Sequence, residues 1–109
     1  MAIDWTQVGK NVEAAVVDVL KGSWSTVSAA AGPQIQAMIS IGQRIEQSQH
    51  HGRLAPLEYD TLRSAQTNAL EGILSGYEAI GIVVAEQAAD AAWNIISQAL
   101  MKGAGVAFA

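Results

Sequence analysis

The chain contains no cysteine, two prolines, one phenylalanine and six basic residues among its 109. The missing cysteine excludes disulfide staples, thiolate metal sites and a cysteine nucleophile, and leaves the redox compartment open. Scarce proline and an aromatic content of 6% speak against a β-sandwich or a Rossmann domain. Ten acidic residues outnumber the basic ones for a net charge of -4, and the basic residues are scattered from Lys10 to Lys102. No electrostatic footprint for direct nucleic-acid binding exists in that distribution. At the start, Asp4 stands where a secretory leader wants a basic residue and no apolar run follows it, so no signal peptide is expected.

What is abundant is alanine. Half of the residues are hydrophobic, and 20 of them are alanine against 27 for Ile, Leu, Val and Phe together. Alanine is the best helix former and a poor core filler, so the composition indicates helices that approach closely.

Helical periodicity runs through nearly the whole chain. Asp4 and Gln7 have capping-box spacing, and Trp5, Val8, Val12, Ala15, Val16 and Val19 recur at intervals of three and four. Gly22 and Ser23 are mild punctuation. Gly32-Pro33 is stronger, because proline removes a backbone donor and restricts its predecessor. The apolar pattern resumes with Ile35, Met38, Ile39, Ile41 and Ile45, and residues 51–56 form the one convincing loop. From Pro56, which suits a first helical position, Leu62, Ala69, Ile73, Tyr77, Ile80, Val84, Ala88, Ala91, Ile95 and Ala99 maintain a single face. Residues 103–109 read as an apolar tail.

Two arms of equal length emerge, 4–49 and 56–101. The expected fold is therefore all-α: one domain over 1–109, a long antiparallel hairpin kinked at Gly32-Pro33, with arms of about 69 Å at ~1.5 Å per residue. Its antiparallel register sets Trp24 opposite Gly81 and Gly32-Pro33 opposite Gly72-Ile73. Such a hairpin is too thin to enclose a core, and Val17, Ile41, Ile82, Val83 and Ile96 exceed one seam, so packing into an oligomeric bundle is expected. A three-helix bundle with a turn at Gly32-Pro33 is the alternative.

Candidate functional residues fall into two groups. Trp5, Trp24 and Trp93, with the small residues Gly72, Gly76 and Gly81, are candidates for helix packing or an interface, since aromatics bury much area and glycines allow close backbone approach. Glu71, Glu78, Glu86 and Asp90 share an arc of one continuous helix and lack a basic partner three or four positions away, which suits a solvated face, a contact surface or a channel lining. His50 and His51 end the first arm, and Glu46 shares a face with His50, but no third metal ligand is visible. Gly72, Ser75 and Gly76 do not make a nucleophile elbow, and Gly9-Lys10 lacks the rest of a phosphate loop. No catalytic residue, metal or cofactor is expected.

Trp24 is followed by Ser25 and Thr26 inside an arm, which separates the chain from the small secreted helical hairpins with a Trp-x-Gly turn that its size resembles. Asp4-Trp5-Thr6, and Tyr59 followed by Arg63-Ser64-Ala65-Gln66, are similar to short stretches of type III secretion needle subunits, over a small part of the chain. Neither likeness assigns a family. The expected role is a non-enzymatic, self-assembling helical subunit of a larger particle, such as a phage virion, an ejection apparatus or a secretion filament. Its partners would be many copies of itself and other structural proteins of the particle. The alternatives are a membrane-active helical protein, since residues 72–101 are long enough to span a bilayer, and a small helical adaptor, cytoplasmic if it belongs to no particle.

Overall fold

A computed structural model describes residues 3–50 and 56–103. Among them are four α-helices, α1 (Trp5–Leu20), α2 (Trp24–His50), α3 (Pro56–Ser75) and α4 (Gly81–Gly103), one turn of 3-10 helix at Lys21–Ser23, and no strand. The all-helical reading of the sequence holds. The two long arms, 4–49 with its kink at Gly32-Pro33 and 56–101, do not, because each folds back on itself once, and the longest dimension is 42 Å.

The start of α1 follows its sequence signal. Asp4 is the N-cap, and its Oδ1 accepts the Gln7 backbone N–H at 3.1 Å. The reciprocal half of the capping box is absent: the Gln7 side-chain amide donates to Asn11 Oδ1 at 2.9 Å instead. Exposed at the helix start, Gln7 gains as much from its own i,i+4 neighbour as from reaching backward.

Neither fold-back falls at the predicted Gly32-Pro33 break. α2 continues through Gly32 and Pro33. Pro33 removes the bond to the carbonyl of Ala29, but both residues are exposed, so water can satisfy that carbonyl. The chain bends instead at the milder Gly22-Ser23 signal, where Lys21 adopts φ 53, ψ -125 and Ser25 Oγ donates to the Gly22 carbonyl at 3.2 Å. In the second arm, residues 76–80 form a turn between α3 and α4, bracketed by Gly76 and by Gly81 at φ +76. Backbone bonds from Tyr77 N–H to the Leu74 carbonyl and from Ile80 N–H to the Tyr77 carbonyl fix that turn.

These short connections impose antiparallel neighbours, α1 with α2 and α3 with α4. Only five residues separate the end of α2 from the start of α3, which makes those antiparallel as well, and Gln34 bonds to Gln66 across them. An up-down-up-down four-helix bundle results, with α4 packed most extensively on α1 and α3 and touching α2 across the diagonal. Three-way contact is possible because the inner face of α4 is lined by Ala85, Ala88, Ala89 and Ala92, all fully buried. Larger side chains fill the remaining core: Val12, Val16, Val27, Met38, Ile45, Leu70, Leu74, Ile96 and Leu100.

The helical register also differs from expectation. Gln34 sits by Gln66, whereas the matched-arm register would bring it to Glu71. Among the described residues no heavy atom lies within 4 Å of a β-carbon built at Gly81, so Trp24 does not fill the space beside that position. Folding each arm in half replaces one long seam with four shorter ones, and Ile96, expected to be surplus, is fully buried.

Candidate functional site

The three tryptophans occupy three different environments. Trp5 begins α1, half-buried, and its Nε1 donates to Glu46 Oε1 at the far end of α2, 3.0 Å away. That bond engages the carboxylate the sequence offered as a partner of His50, whose side chain, like His51 altogether, lies outside the described residues. Trp24 opens α2, half-buried against the core, in a small groove with Glu13, Ile35 and Gln36. Trp93 is buried, and its Nε1 donates to the Tyr59 hydroxyl at 3.0 Å, with ring centroids 6.1 Å apart and planes at 53°. This bond joins α3 to α4 and satisfies a polar group in the core.

Close packing at glycine occurs at a position the sequence reading did not single out. A β-carbon at Gly42 would lie 2.7 Å from the Trp5 ring and 3.0 Å from Ile96. Among the described residues, β-carbons at Gly72 and Gly81 would have nothing within 4 Å, and one at Gly76 would meet only carbonyls of its own helical turn. Within one chain these three glycines therefore serve no helix contact; Gly76 and Gly81 bracket a bend. Gly42 belongs to no small-xxx-small pair, so spacing gave no signal for it.

The acidic stripe depended on one continuous helix. The bend at 76–80 places Glu71 near the end of α3, Glu78 in the turn, and Glu86 and Asp90 on α4, all but Glu71 exposed. Asp90 lines an outer groove between α3 and α4 with Arg63, Thr67 and Asn94. Arg63 also approaches Asp60 at 4.0 Å, a loose pair between exposed side chains that adds little stability. Groups of three or more potential metal ligands are absent among the described residues.

A groove of about 460 Å³ lies between α2 and α3, with Ile41, Ile45, Leu57 and Leu62 as its apolar lining and Arg44 and Glu58 among its polar residues.

Exposed apolar side chains show a more informative distribution. Ile82 and Val83, at 65% and 66% exposure, begin α4 at the end of the bundle where both bends lie. Leu57, at 77%, begins α3, and Met101, at 41%, lies in the last turn of α4, both at the opposite end. All four large exposed hydrophobics of the described residues thus sit at the two ends of the bundle, and none on its flanks.

The segment 72–101, long enough to span a bilayer as one helix, is divided by the turn at 76–80. No helix among the described residues is long and apolar enough to cross a membrane. Comparisons with protein families, with curated proteins and with solved structures gave no match to this chain.

Proposed function

We propose that the chain is a non-enzymatic, self-assembling structural subunit of a larger particle, of the kind found in a phage virion, an ejection apparatus or a secretion filament. The observation that carries this reading is the apolar residues at both ends of the bundle: Ile82 and Val83 at one, Leu57 and Met101 at the other. One self-complementary patch closes into a dimer and stops there. Two separate patches at opposite ends allow each copy to hold two neighbours, which is the minimum for growth beyond a dimer. A rod-shaped bundle of 42 × 26 × 20 Å whose large exposed apolar side chains stand at its two ends is suited to longitudinal stacking.

The two ends are separable by substitution. Ile82→Ser with Val83→Ser should limit association to dimers formed through the other end, and Leu57→Ser with Met101→Ser should do the converse. All four together should yield monomer with unchanged helicity. Assemblies of undiminished size in the quadruple variant, seen by light scattering, would overturn the reading.

A further inference from the structure

We propose that the two bends at one end of the bundle are paired hinges, and that the chain opens there into a long two-helix hairpin that exchanges halves with a second copy of itself. The proposal rests on the self-association reading above and names its partner and geometry.

In the closed chain, Lys21–Ser23 folds α1 onto α2, and residues 76–80 fold α3 onto α4. Straightening both bends leaves α1 on α4 and α2 on α3. The contacts between α1 and α2 and between α3 and α4, including Trp5–Glu46 and Trp93–Tyr59, are then remade with the second copy. Core contacts away from the bends have their equivalents in the exchanged dimer, while those of Ile80 in the second bend change, so the equilibrium is decided by the hinges and by the entropy of association.

Three features of the chain favour the opened hairpin. Lys21 holds φ 53, ψ -125, a conformation that residues with a β-carbon rarely adopt, and a continuous helix releases that strain. The buried face keeps helical phase across both bends: Val12, Val16 and Leu20 are followed after seven residues by Val27, Ala31 and Ile35, and on the far side of the second bend Ala85 stands eleven residues after Leu74 and Ala88 eighteen after Leu70, with only Ile80, in the turn itself, off that face. Finally, Ile82 and Val83 lie beside the second hinge, so exchange brings those of both copies from an exposed end to the centre of the dimer.

Because the chain has no cysteine, spin labels at Thr6→Cys and Gln47→Cys, both exposed positions, occupy the only thiols. The two sites adjoin the Trp5–Glu46 bond in the closed form. In a straightened first arm they stand about 60 Å apart at ~1.5 Å per residue. Labelled chain diluted into excess unlabelled chain, refolded at high concentration and separated by size, reports only distances within one chain. Exchange predicts the long distance in the dimer and the short one in the monomer. Lys21→Gly, which removes the strain at the first bend, should lower the dimer fraction, and Gly81→Ala, which adds strain at φ +76, should raise it. A dimer that keeps the short distance would overturn exchange and leave self-association standing. Absence of any dimer in the unlabelled chain and in Gly81→Ala would overturn both.

Discussion

The indole of Trp5 occupies the space a side chain at Gly42 would need, with ring atoms 2.7 Å from the β-carbon position. Its Nε1 is held by Glu46, so the ring cannot swing aside without losing that bond. Gly42→Ala should destabilise the protein by about 1–3 kcal/mol through overpacking, although alanine is the better helix former. In a Trp5→Ala background the same substitution should become neutral or favourable. Urea denaturation of the four variants checks both statements, and additive effects would contradict the contact.

Removing the Tyr59 hydroxyl withdraws the acceptor of the Trp93 N–H in the core. Tyr59→Phe should cost about 1–3 kcal/mol, the range for a buried donor left without its partner. Loss of tertiary signal in near-ultraviolet circular dichroism at a lower midpoint is the expected outcome. An unchanged midpoint would place the hydroxyl and the indole in contact with water.

Lys21→Gly should raise the stability of the closed monomer by roughly 1 kcal/mol, since glycine accepts φ 53, ψ -125 without a β-carbon clash while adding some unfolded-state entropy. Lys21→Val should do the opposite. Thermal midpoints measured on dilute protein, where the monomer dominates, decide the sign.

Glycines expected to be alike should respond differently. Gly72 lies on the exposed side of α3 with open space around it, so Gly72→Ala should stabilise by about 0.5–1 kcal/mol through helix propensity. Gly81→Ala should destabilise the closed monomer because of its φ of +76, not because of overpacking. Equal effects at the two sites would remove the conformational distinction.

Helical class, the Asp4 cap and the start of α3 at Pro56 were legible in the sequence because they depend on neighbours within a few residues. So was the value of alanine, which now lines α4 where that helix meets three others. The positions of the bends were not legible. Local signals rank Gly32-Pro33 above Gly22-Ser23, yet the compact bundle needs a break near residue 22, and tertiary packing overrules the local cost while water accommodates Pro33 on an exposed face. Unbroken apolar phase across residues 76–80 likewise concealed the second bend, and with it the division of the acidic residues among three elements. Ile82 and Val83 were visible as surplus apolar residues; their placement at one end, opposite Leu57 and Met101, required the fold.

Self-association is the central claim, and the mass of the unmodified protein tests it most directly. Light scattering over a wide concentration series should show the average mass rising from that of a single chain through a dimer to larger species, with helicity constant throughout. A mass that stays at one chain across the whole series would contradict the account.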